Sequence, residues 1–310
     1  MQCGTIMRTV HARILIPPGI GDSYWVLTKL GAFIKREGLD KPELTILSYP
    51  CPLGSHLRSV PYLQLFDFFT LGDPVSVPND PALQDIYDEA YLKGGRSIFP
   101  NVQGFDYFMA YNGRINSGGY IEEDDLRCDW YPPMNCDMGF NANGYIRQYG
   151  RYAVFFWPFY GTYESHVKDF PIEKIAESLN RFLDKTLLIP IFVGADWDIG
   201  LNAPVQDLMR LVPGAIDLIG KTSLVESFGL LRGAEMTTGY HAGLTNMAAV
   251  FGTKTCLLWD DRYPRSTAFA CCPPRTRGTN YRPLFTKELT VDQYVNALMG
   301  LFMRREVQSE

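Results

Sequence analysis

Ile219-Gly220-Lys221-Thr222-Ser223-Leu224-Val225-Glu226 opens the stretch whose reading decides the fold. An apolar helix pattern follows, then Thr237-Thr238-Gly239-Tyr240-His241-Ala242-Gly243-Leu244-Thr245-Asn246-Met247-Ala248-Ala249, then Gly252-Thr253-Lys254-Thr255-Cys256-Leu257-Leu258-Trp259. Leu224, Phe228 and Leu231 share one helical face, with Val225 beside them. Ser223 followed three residues later by Glu226 is a capping-box start, and Gly233 is a suitable stop. A strand is expected from Glu235 to Thr238, a turn from Gly239, a small-residue helix from about Gly243 to Phe251, and a buried strand from Thr255 to Trp259. Helix, strand, helix, strand at this spacing is half of a parallel α/β domain.

The chemistry of this stretch belongs to the turn before Gly243. Gly243 has no side chain, so a ligand can approach its backbone. The N–H groups of a helix starting there carry partial positive charge and suit a phosphate. The competing reading is structural: Gly243 permits tight helix–sheet packing. Spacing alone does not separate the two.

The stretch resembles the donor-binding segment of the bacterial heptosyltransferases, glycosyltransferase family 9. Gly220, Lys221, Thr222, Ser223, Leu224, Glu226, Gly243, Ala248, Ala249 and Gly252 match the family pattern. The chain departs from it at His241, where the family has an acidic residue, and at Asn246, where it has a histidine. The resemblance implies the GT-B fold: an α/β chain of two Rossmann-like domains whose parallel sheets face a cleft. It also implies a donor site at Glu226, His241, Ala242, Gly243, Leu244 and Thr245, with Glu226 on the donor ribose.

Further out, Arg13 to Pro17 reads as an apolar strand, Gly19-Ile20-Gly21-Asp22 as a glycine turn, Ser23 to Glu37 as a helix stopped by Gly38, and Leu44 to Ser48 as a second strand. That order opens a Rossmann-like half. The dinucleotide fingerprint fails, because Tyr24 replaces the third glycine and no acidic residue ends the second strand. Read alone, Asp22 suits a helix cap. The resemblance makes Gly19 and Gly21 an acceptor-side loop and Asp22 the general base that an inverting transfer needs. Arg58-Ser59-Val60-Pro61-Tyr62-Leu63 resembles the family's connection to a third strand, expected at Leu65 to Phe69.

Residues 72 to 150 lose periodicity and carry scattered aromatics and the acidic run Glu122-Glu123-Asp124-Asp125. They read as surface loops or, by resemblance, as an acceptor region. Tyr149 to Tyr152 reads as a linker, giving domains of 1–150 and 151–310. In the second domain, strands are expected at Ala153 to Trp157, Leu187 to Val193 and Ile216 to Ile219. A helix is expected beyond Asp169 and another from Val205 to Leu211. A last helix, about Val291 to Arg304, is of the kind that often packs back on the first domain in GT-B enzymes. Lys168, a cation beside a helix start, is either a solvated lysine or, as the resemblance implies, a ligand of the donor phosphates. Asp196-Trp197-Asp198 has metal-motif spacing but sits in a donor-domain turn.

With 46% hydrophobic and 20% charged residues, the 310-residue chain is globular in composition, and its net charge of −5 disfavours nucleic-acid binding by bulk electrostatics. Arg262, Arg265, Arg275, Arg277 and Arg282 form a segment that reads as a solvated loop or a local basic cleft. The odd number of cysteines, seven, without a Cys-x-x-Cys pair predicts reduced thiols and a cytoplasmic location, with no metal. Met1 to Ala12 lacks a signal-peptide core, and no apolar run is long enough to span a bilayer. The function that the resemblance implies is inverting, metal-independent transfer of a sugar from a nucleotide diphosphate sugar, a co-substrate rather than a cofactor, to a glycan or lipopolysaccharide hydroxyl. The alternatives are sugar transfer to a hydroxylated base in viral DNA and non-catalytic nucleotide-sugar binding.

Overall fold

The computed structural model describes residues 11–48, 56–76, 83, 85–86, 89, 97–110, 129–157, 169–195, 203–261, 265–270 and 272–304. The chain divides into two compact units, Met1–Asn135 and Cys136–Glu310.

The first unit is built on β1 (Arg13–Ile16), α1 (Ile20–Glu37), β2 (Glu43–Ser48), α2 (His56–Leu63), β3 (Thr70–Leu71), β4 (Val75–Ser76), β5 (Ile98–Val102) and β6 (Phe105–Met109). Its sheet has the order β3-β2-β1-β6-β5, with β4 also paired to β2. All pairings are parallel except the β5–β6 hairpin. Ile14, Leu15 and Ile16 are fully buried, as a strand between two neighbours and covered on both faces must be. The hairpin turns through Gln103 and Gly104, both at positive φ (53° and 77°), which suits a two-residue turn matched to strand twist. Lys29, buried in α1, donates to Ser97 Oγ at 2.5 Å and to the Ala110 carbonyl at 2.8 Å, tying the helix to both ends of that hairpin. The strand expected at Leu65 to Phe69 is not formed. Those residues turn after α2, Phe66 and Phe69 are buried with Phe68 packed against both, and pairing begins only at Thr70. Apolar content there marks a packed turn, not a strand.

The second unit comprises α3 (Met138–Tyr149), β7 (Tyr152–Phe156), α4 (Ile172–Thr186), β8 (Ile189–Phe192), α5 (Ala203–Arg210), β9 (Ile216–Asp217), α6 (Leu224–Gly233), β10 (Met236–Tyr240), α7 (Gly243–Val250), β11 (Thr255–Trp259), α8 (Arg265–Ala270), β12 (Tyr281–Phe285) and α9 (Val291–Phe302). Its six strands are all parallel, in the order β12-β11-β10-β7-β8-β9. The central strands β7, β10 and β11 are buried along their whole length. Gly239 does not begin a turn. It lies inside β10, where a Cβ would stand 1.7 Å from the Phe156 carbonyl oxygen of β7, so only glycine lets the two strands approach. The division between units falls before α3, and α3 packs against α6 of the second unit. Gly229 and Gly233 of α6 admit Asn141 and Ala142 at that crossing. The closing helix α9 packs on α4 and on β11 and β12, and its Tyr294 hydroxyl meets Thr238 Oγ1 at 2.6 Å in the core. Among the described residues no helix is long and apolar enough to cross a membrane.

Candidate functional site

In the second sheet the chain leaves β7 toward β8 on one side and leaves β10 toward β11 on the other. Neighbouring strands whose connections diverge leave a crevice beyond their carboxyl ends, where open parallel sheets bind ligands. His241, Ala242 and Gly243 stand at that place, directly after β10, and each keeps part of its surface open. Ala242 is the N-cap of α7 and offers no side-chain cap, so the first-turn N–H groups are left for another partner. The turn is held from within. Thr245 Oγ1 accepts from the Ala242 N–H at 3.0 Å and lies 3.0 Å from the Tyr240 carbonyl. Thr245 is fully buried, backbone included, and Leu244 nearly so, which leaves His241, Ala242 and Gly243 as the open surface of the turn.

The two positions that depart from the family pattern meet each other. The Asn246 amide donates to His241 Nε2 at 3.2 Å, while the buried Asn246 Oδ1 has no hydrogen-bond partner among the described residues. The imidazole stacks on Trp259, ring centroids 3.6 Å apart and planes at 21°. Trp259 Nε1 donates to the Tyr281 hydroxyl at 3.1 Å, which donates to the Ala268 carbonyl at 2.8 Å. His241 is therefore fixed by a neighbouring helix and by a strand that is itself anchored.

Glu226 stands at the start of α6. The capping box expected with Ser223 is formed: Glu226 accepts from the Ser223 N–H at 2.8 Å, and Ser223 Oγ accepts from the Glu226 N–H at 3.3 Å. Those bonds to Ser223 hold the Glu226 carboxyl below its usual range. The side chain is exposed, so the carboxylate retains acceptor capacity. Tyr145 of α3 lies in its field; burial first, then the Glu226 charge, raises the phenol pKa. Sequence periodicity gave no sign of Tyr145, because it sits in the stretch without a repeat.

Asp22 belongs to the first unit. Gly19 is the N-cap of α1, with φ 108°, its N–H donating to Ser59 Oγ at 2.5 Å. Gly21 and Asp22 therefore lie in the first helical turn rather than in a loop before it, and the N-cap itself, a glycine, brings no side chain to cap the helix. Asp22 keeps some exposed surface, yet the protein around it removes enough water to push its carboxyl up to about 7. An acid of that strength divides its population between acid and base near neutrality, as a proton acceptor requires. Lys168, Arg262, the Asp196-Trp197-Asp198 turn and the Glu122–Asp125 run lie outside the described residues.

No model of a known protein family matches the chain, and no curated protein matches it. Solved structures do. The ADP-heptose lipopolysaccharide heptosyltransferase II of E. coli aligns over 95% of this chain and 99% of its own, with TM-score 0.56 and 13% identity. The glycosyltransferase family 9 protein of Veillonella parvula DSM 2008 aligns over 96% and 99%, with TM-score 0.56 and 12% identity. The chain has the GT-B fold. A putative UDP-N-acetylglucosamine 2-epimerase from Listeria monocytogenes shares it at TM-score 0.51 and 9% identity, over 95% of this chain and 88% of its own. The GT-B fold is thus common to proteins named for different chemistry, and at these identities the likeness speaks for the fold alone.

Proposed function

We propose that this GT-B chain is a glycosyltransferase, moving a sugar from a nucleotide diphosphate sugar to an acceptor hydroxyl. The observation that carries the reading is the β10–α7 turn. A helix without a side-chain cap begins at the switch point of a parallel sheet, with an anchored imidazole beside it, and that arrangement suits a diphosphate. In this reading the start of α7 holds the phosphates through the open backbone of Gly243, with Leu244 and Thr245 shaping the turn from within, His241 adds a donor, and exposed Glu226 accepts from the ribose hydroxyls. Lys168 is a second phosphate ligand. Asp22 takes the proton of the acceptor hydroxyl as the new bond forms at the anomeric carbon, and the diphosphate leaves from the opposite face with inversion. The helix termini and cations carry the leaving charge, so no metal is assigned a step. The acceptor is a glycan hydroxyl of the lipopolysaccharide-core type. A non-catalytic nucleotide-sugar binder would keep the turn and dispense with Asp22.

The test is titration calorimetry with ADP and UDP on Gly243→Glu. An anionic side chain in the first turn of α7 complements the helix dipole, so the melting temperature is maintained, while a bound diphosphate is repelled. Nucleotide affinity is expected to fall at least tenfold. Unchanged affinity in a folded Gly243→Glu protein removes the turn from the donor site.

A further inference from the structure

The opposite edge of the second unit, where its strands begin, is built differently. Two large apolar side chains stand in water there, Leu187 at 83% exposure and Met303 at 70%. They follow the last turns of α4 and α9. Arg151, just before β7, brings these helix ends to one place. Its carbonyl accepts from the Ile189 N–H at 3.0 Å, two residues after Leu187, and its guanidinium lies 5.6 Å from the ring centroid of Phe302, next to Met303. The Phe302 ring also meets Phe182 of α4 at 5.9 Å. Folding explains neither exposed side chain. Leu187 holds a left-handed conformation, φ 56°, at a helix end where glycine is usual, and a leucine there is disfavoured.

Cations gather at the end of α9, beside Met303. Lys254 Nζ donates to the Phe302 carbonyl at 2.9 Å, and Arg304 donates to the Thr279 carbonyl at 3.1 Å. Arg282 is exposed beside α9, 3.7 Å from where a Cβ on Gly300 would lie. Of the acids at this edge among the described residues, Glu235 is paired with Arg151 at 2.8 Å, and Asp184 is adjacent in sequence to Lys185. The corner is positive on a chain whose net charge is −5.

We propose that this edge is a docking surface for an anionic lipid bilayer, with Leu187 and Met303 entering the apolar boundary and Lys254, Arg282 and Arg304 facing lipid phosphates. Projecting aliphatic side chains with cations beside them are the arrangement that interfacial binding uses. A second copy of the chain would set the same cations against one another. A nucleic acid would engage the arginines and leave Leu187 and Met303 in water. The inference stands apart from the sugar-transfer reading, since it uses none of the donor-site residues.

The experiment is co-sedimentation of the full chain with vesicles of phosphatidylcholine alone or mixed with phosphatidylglycerol. Binding is expected to the mixed vesicles only and to weaken with salt. Leu187→Gly with Met303→Ser should lower it on the order of tenfold, with a melting temperature unchanged or raised because glycine relieves the left-handed residue. Arg282→Gln should lower it roughly fivefold. The proposal is overturned if the wild-type chain ignores anionic vesicles or if the double variant binds them as well as wild type. It is equally overturned if the double substitution acts by dissociating a dimer in sedimentation velocity, or if the edge captures DNA but no vesicles.

Discussion

At the scale of single residues, Asp22 makes two roles separable by pH. Its folded pKa, about 7, lies above the ordinary value of 3.8, so the folded state holds the proton more tightly than the unfolded chain. Stability from this group is therefore fully present below about 4 and is lost as pH rises through about 7. Asp22→Asn carries no charge to desolvate. It should exceed wild type in urea stability at pH 8 by on the order of 1–2 kcal/mol, a figure discounted for the partial exposure of the side chain, and the gap should close toward pH 4. If Asp22 is the base, the same variant loses on the order of 10²-fold in turnover while keeping donor affinity. Full turnover in Asp22→Asn would transfer the base role elsewhere. His241 and Asn246 are a second residue-scale case. Removing either partner orphans a half-buried or buried polar group, so Asn246→Ala should cost about 1–2 kcal/mol. A double-mutant cycle with His241→Ala should show coupling of at least about 0.5 kcal/mol. Additive effects would mean that the observed bond contributes nothing. Asp22 and His241 stood out in the sequence as chemistry. That Asn246 supports His241 did not, because the contact joins a strand end to the second turn of a helix and depends on where α7 lies.

At the scale of elements, the second unit turns on the approach of β7 and β10. Gly239→Ala places a methyl group 1.7 Å from a backbone oxygen that cannot rotate away. It should destabilise the unit by more than about 3 kcal/mol, or prevent its folding, as followed by circular dichroism and denaturant titration. A well-folded Gly239→Ala protein with wild-type stability would show that the strands separate readily. The sequence marked this glycine as a turn, since glycine after a short apolar run usually is one. Its true reason, a neighbouring carbonyl, comes from a strand more than eighty residues earlier. Elements with strong local signals were legible: Ser223 and Glu226 announced the start of α6, and Thr255 to Trp259 is a strand at those same residues. Elements defined by partners were not. The short strand β3 pairs through only Thr70 and Leu71, and the edge strand β12 contains Pro283, a residue that argues against a strand unless its other neighbour is missing.

At the scale of the molecule, each unit has its own sheet and its own buried cluster. The larger cluster, from Ala153 to Leu301, draws every member from the second unit. A chain of Cys136–Glu310 should therefore fold alone with a cooperative transition and bind a nucleoside diphosphate with affinity within a few-fold of the full chain. A molten excised unit, or one that folds and has lost nucleotide affinity, would show that the first unit completes the donor site. By itself, the sequence determined the α/β alternation, the two-part organisation and the helix start at Gly243, because those follow from apolar period, glycine placement and capping residues within a few positions of one another. Only the tertiary structure decided the strand order that turns β7 and β10 into a switch point, the burial that raises Asp22, and the gathering of Leu187, Met303 and their cations at one edge. Each of those depends on residues far apart in the chain, and a one-dimensional pattern carries no record of which distant backbone or charge will stand beside them.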